Sequence, residues 1–208
     1  MNGYEWMTHA PLIRAVMDLY KPAFVLELGV GDYSTPIFVE YGVKYLGVDT
    51  EVEWVNDVIK NYDVNVFYHE IGEIGRRLNY KKITEEQRAD IREYYEGLMS
   101  PELKPNLLFV DQDATCRLIS IQVLSPKFDI IIYHDHDEMG FEDNSYDLID
   151  DYGFNRYALT TERTGAGVMI RQGIDKGFDV LDEAVQPYIK QFTEGLTDCK
   201  WMKFERYC

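Results

Sequence analysis

A chain of 208 residues, 46% hydrophobic and 28% charged, is long enough to bury one core and is composed like an ordinary globular domain. Its 37 acidic against 21 basic side chains leave a formal net charge of -16, which repels phosphate backbones and anionic lipid surfaces, so neither nucleic acid nor membrane is an expected partner. Cys116, Cys199 and Cys208 lack metal-ligand spacing, and neither a basic-then-apolar leader nor a membrane-length apolar run is present, which predicts free thiols in a cytoplasmic protein.

In chain order, a helix is predicted from Pro11, where a missing N–H is tolerated, with Leu12, Ile13, Val16, Leu19 and Tyr20 as its apolar face. His9 is placed to cap that helix or, alternatively, to line a substrate mouth. Phe24 to Leu28 is an apolar run broken only by Glu27, as in a fully buried parallel strand. A helix over 36–41 follows, with Ser34 or Thr35 as N-cap, then a strand over 45–48 that ends at Asp49. Trp54, Val55, Val58, Ile59 and Tyr62 make an amphipathic helix packed on the core, and 64–68 a third strand. A capping box at 84–87 opens a helix carrying Ile91, Tyr94, Tyr95 and Leu98, which Pro101 and Pro105 close. Strand 107–110, helix 118–124 and strand 129–133 continue the alternation. Strands 154–161 and 167–171 read instead as a hairpin, and Phe178, Leu181, Val185, Tyr188 and Phe192 as one face of a last helix. The expected architecture is one α/β domain over 1–208, a doubly wound, mainly parallel, seven-stranded sheet with a terminal antiparallel hairpin and helices on both faces.

The run VLELGVGDYSTP, 25–36, carries the strongest chemical signal. A buried strand enters Gly29-Val30-Gly31 and then a helix, so the backbone can pass close to a ligand beside unpaired N–H donors. Glu27 inside the apolar strand needs a cationic or hydrogen-bond-donating partner. Asp49, twenty residues after Gly29, ends the next strand, where a carboxylate can accept from ribose hydroxyls. These residues resemble the cofactor site of the class I S-adenosylmethionine-dependent methyltransferases, and the terminal hairpin is that family's arrangement. The resemblance implies cofactor contacts at Gly29, Gly31 and Asp49, with Glu27 on the methionine side and Glu70 at the adenine. Ser34 and Thr35 recur in members acting on small or sugar-like molecules, and Ser34 is counted with the cofactor site.

A second cluster lies at the ends of the fourth and fifth strands, where open parallel sheets bind ligands. Asp111, His134 and Asp135 are the candidate catalytic residues, as base or metal ligand for a hydroxyl acceptor. Metal-dependent members of the family imply Asp111 and Asp135 as ligands of Mg²⁺, whereas Arg117 could neutralise the acids and make a metal unnecessary. The acids at 137, 138, 142 and 143 read as solvated loop residues, His69 as structural and Trp54 as packing. The expected function is methyl transfer from S-adenosylmethionine to a small molecule, by O-methylation of a hydroxyl. The alternatives are an NAD-binding oxidoreductase, against which Ser34 stands at the third fingerprint glycine, or a non-catalytic S-adenosylmethionine-binding protein. Homo-oligomer formation is left open.

Overall fold

The computed structural model describes residues 7–69, 84–98, 102–112, 114–134, 153–161, 165–194 and 202–206. Helix α1 (Ala10–Tyr20) precedes β1 (Phe24–Leu28), α2 (Thr35–Tyr41), β2 (Lys44–Asp49), α3 (Val52–Asn61) and β3 (Val66–Tyr68). Then come α4 (Glu85–Leu98), β4 (Asn106–Val110), α5 (Ala114–Leu124) and β5 (Ile130–His134). The chain closes with β6 (Phe154–Thr161), β7 (Ala166–Arg171), α6 (Phe178–Glu194) and β8 (Met202–Arg206).

The strands form one sheet in the order β3-β2-β1-β4-β5-β7-β6-β8, with β1 to β5 parallel and the last three antiparallel. Every residue of β1, β4 and β5 is buried, which explains why their sequences are apolar but for Glu27, Asn106 and His134. The sheet has eight strands rather than the expected seven. The extra one, β8, pairs with β6 from Thr161↔Met202 to Tyr157↔Arg206 and buries only Phe204. An edge strand rich in charge and with one core residue leaves almost no hydrophobic pattern to read.

Side chains alternate across a strand, and this alternation sorts the core into two layers. Phe24, Leu26, Leu28, Leu108, Val110, Ile131 and Tyr133 face α4 and α5. Val25, Leu107, Phe109, Ile130 and Ile132 face α1, α2 and α6. By the same parity Glu27, Asp111 and His134 belong to the second layer, at the carboxyl ends of three neighbouring strands. Helix α1 leads into β1 through a short turn, so it runs back along the sheet. Its eleven residues rise about 16 Å and the five of β1 about the same, so the α1 N-terminus lies level with that carboxyl edge. Among the described residues, no helix is long and apolar enough to cross a membrane.

Candidate active site

The strand order reverses between β1 and β4, the switch point outside which open α/β sheets bind ligands. A cavity of about 470 Å³ opens there, lined by the Gly29–Ser34 turn, Asp49, Trp54, His9, Asp111 and Arg117 among others. The glycines of the turn have different tasks. Gly29 sits at φ +90°, and a Cβ on it would stand 2.4 Å from Asp111 C and Gln112 N, so it is glycine to let the β4 backbone pass. A Cβ on Gly31 would meet nothing within 4 Å, which leaves its backbone open to the cavity.

Asp49 is buried and fastens the turn to β2, accepting from Val30 N and Glu51 N at 2.8 Å each. A carboxylate offers about four acceptor positions, so at least one remains for a ligand's hydroxyl beside these N–H groups. Burial raises the Asp49 carboxyl above its ordinary value, against the lowering effect of the Glu51, Val30 and Thr50 N–H groups.

Glu27 does not line the cavity, contrary to its expected place beside the methionine. It is completely buried under the start of α2 and accepts from Ser34 Oγ, from Thr35 Oγ1 at 2.8 Å and from Tyr45 OH. Three hydroxyl donors answer the need for a partner, yet burial still pushes its carboxyl up to about 8. Ser34, one of the two residues expected there, stands at the N-cap position of α2 but makes no side-chain cap bond: its hydroxyl turns to Glu27, while Thr35 Oγ1 accepts from Gly31 N at 3.2 Å. Ser34 reaches the cavity wall while holding Glu27.

The catalytic candidates meet as strand parity dictates. His134 Nδ1 lies 3.0 Å from Asp111 Oδ1, and its Nε2 lies 2.8 Å from Thr8 Oγ1. Arg117 donates to the same Asp111 oxygen at 3.2 Å, to Gln112 O at 2.6 Å and to His134 O at 3.4 Å. Burial works to raise the Asp111 carboxyl, but His134, His9 and Arg117 together hold it below the ordinary range. His134 is buried and is not part of the cavity wall; it touches three residues that are, Asp111, His9 and Arg117. The expectation that His134 itself takes an acceptor's proton is therefore corrected to a positioning role. Asp135, Glu70 and Asp113 lie outside the described residues.

His9 is the residue whose importance was underestimated. It stands at the N-cap position of α1 but makes no side-chain cap bond. Its ring is 1% exposed, edge-on to His134 at 4.6 Å between centroids and tilted on Phe109 at 5.1 Å. Among the described residues neither ring nitrogen has a hydrogen-bond partner, an arrangement that costs about 1–3 kcal/mol for each unsatisfied buried group. Burial and the neighbouring His134 push its pKa down to about 3, which keeps the ring neutral. The α1–β1 antiparallel geometry was the available signal. Trp54 likewise departs from expectation: Val55 and Val58 are buried, but the indole is 47% exposed and lines the cavity. His69 fits its structural reading, stacked on Tyr94 at 3.6 Å.

Mg²⁺ does not fit the donors described here. Hard cations take oxygen ligands, whereas the described neighbours of Asp111 are two imidazoles and a guanidinium.

The chain has the fold of the class I S-adenosylmethionine-dependent methyltransferases, terminal antiparallel hairpin included. The N-methyltransferase NodS from Bradyrhizobium japonicum WM9, in complex with S-adenosyl-L-homocysteine, superposes with a TM-score of 0.51 at 9% identity, covering 82% of this chain and 89% of NodS. Magnesium protoporphyrin IX methyltransferase from Synechocystis PCC 6803, with bound SAM, gives a TM-score of 0.48 at 13% identity over 82% of this chain and 80% of that one. A SAM-dependent methyltransferase from Archaeoglobus fulgidus gives 0.47 at 13% identity over 98% and 94%. No protein-family model matches the sequence, and no curated protein does.

Proposed function

We propose that this protein binds S-adenosylmethionine and transfers its methyl group to a hydroxyl of a small molecule. One observation carries the reading: a single cavity joins the open Gly31 backbone and Asp49 to a second wall made of His9, Asp111 and Arg117. At about 470 Å³ it is of the size that holds a small ligand. S-adenosylmethionine supplies an electrophilic methyl on a sulfonium. Asp49 accepts the ribose hydroxyls, Gly31 lets the backbone approach, and Trp54 offers a face for the adenine. Methyl transfer is an in-line displacement, so holding the acceptor in line supplies much of the rate. Asp111 spends only Oδ1 on His134 and Arg117, and its second oxygen is available to the acceptor's hydroxyl proton. Arg117 and His134 keep that carboxylate ionised and aimed.

Calorimetric titration with S-adenosylmethionine, S-adenosylhomocysteine and NAD tests the reading. The two sulfur ligands should bind and NAD should not. Asp49→Ala should weaken binding by about 1–3 kcal/mol, the cost of leaving ribose donors unpaired. Unchanged affinity in the folded variant refutes the assignment.

A further inference from the structure

We propose that His9, Asp111 and His134 form a site for one divalent transition-metal ion of the zinc class, with an open coordination position on the cavity. One donor atom from each residue lies within 4.8 Å of the other two. The 3.0 Å between His134 Nδ1 and Asp111 Oδ1 is a little below the roughly 3.4 Å that separates ligands around a tetrahedral ion bound at about 2.1 Å, so a small outward shift of either group would seat one. Two imidazoles and one carboxylate suit zinc and its neighbours in the first transition row, and three protein ligands leave a position for substrate.

Two independent features point to a ligand there. His9 is buried with both nitrogens unpartnered among the described residues, and it lines the cavity beside Asp111. An ion is what would employ its lone pair. His134 is oriented as metal-binding histidines are, with its other nitrogen held by a neighbour: Nε2–H would donate to Thr8 Oγ1, leaving the Nδ1 lone pair for the ion. Arg117 already donates to Asp111 Oδ1 at 3.2 Å, so an ion would share that oxygen with the guanidinium or take the other carboxylate oxygen; Arg117 also donates to the Gln112 and His134 carbonyls. The proposal does not depend on methyl transfer.

The test uses the full chain stripped with a chelator and titrated with Co²⁺ and Zn²⁺, read by visible absorption and calorimetry. One Co²⁺ per chain should bind with d–d bands and no thiolate charge-transfer band, and excess Mg²⁺ should not displace it. His9→Gln and Asp111→Asn should each weaken binding at least tenfold, and Thr8→Val about tenfold through the lost support of His134. Zn²⁺ should also fix the His134 proton on Nε2 in imidazole nitrogen–proton spectra of the wild-type protein, a readout that needs no variant. No binding, binding unchanged by His9→Gln and Asp111→Asn, a thiolate band, or a His134 tautomer protonated on Nδ1 with Zn²⁺ present overturns the site. S-adenosylhomocysteine titrated into the same samples separates the two readings: cofactor binding without metal binding overturns only the metal site, and the converse only the methyl-transfer reading.

Discussion

Glu27 makes the stability of this protein depend on pH in a way that can be isolated with one substitution. The carboxyl is completely buried, and burial outweighs the hydrogen bonds from Ser34, Tyr45 and Thr35, raising its pKa from 4.5 to about 8. Between those two values the folded protein keeps a proton that the unfolded chain has released. The unfolded state therefore binds fewer protons, and stability falls as pH rises. The contribution is fully present below about pH 4.5, declines by about 1.4 kcal/mol per pH unit, and is flat again above about pH 8. Over the whole window the loss is of order 5 kcal/mol, a large share of the roughly 5–15 kcal/mol typical of a domain. Glu27→Gln keeps the shape and does not titrate; its amide oxygen can accept from Thr35 and Tyr45 while its NH2 donates to Ser34 Oγ. Urea unfolding of both proteins from pH 5 to 9 measures the effect. The wild type should lose stability relative to Glu27→Gln with rising pH, and the difference should level off near pH 8. A pH-independent difference, or one that moves in the wild type's favour, would refute the reasoning.

Gly29→Ala should destabilise the fold by at least about 2 kcal/mol in urea unfolding, from positive-φ strain plus overlap with the Asp111–Gln112 backbone. A variant as stable as the wild type would show that β4 has room to move. Trp54→Ala should weaken S-adenosylhomocysteine binding by about 1–3 kcal/mol if the indole stacks on adenine, and the wild-type fluorescence should change on binding. Equal affinity in the variant would remove Trp54 from the cofactor site.

The local patterns determined most of the fold. Buried strands such as Phe24–Leu28 and Ile130–His134 are almost wholly apolar, with Glu27 and His134 as the exceptions, and helices such as α1 repeat their apolar face every third or fourth residue, so both were legible as elements. The cofactor wall was partly legible for the same reason, because the Gly29-to-Asp49 spacing is a local feature of one strand–turn–helix–strand unit. Only the tertiary structure decided the direction of Glu27, whose acceptor demand is met by hydroxyls on α2 and β2 rather than by a ligand. It alone moved Trp54 from the core to the cavity, since helical periodicity marks an apolar face without fixing where that face ends. It also decided the cluster of His9, Asp111 and His134, which come from the start of α1 and the ends of β4 and β5. Residues on separate elements, His9 being over a hundred positions from the other two, share no sequence period. They meet because parallel strands align their carboxyl ends, side-chain alternation sends Asp111 and His134 to one face, and α1 runs back along β1 to bring His9 to that edge.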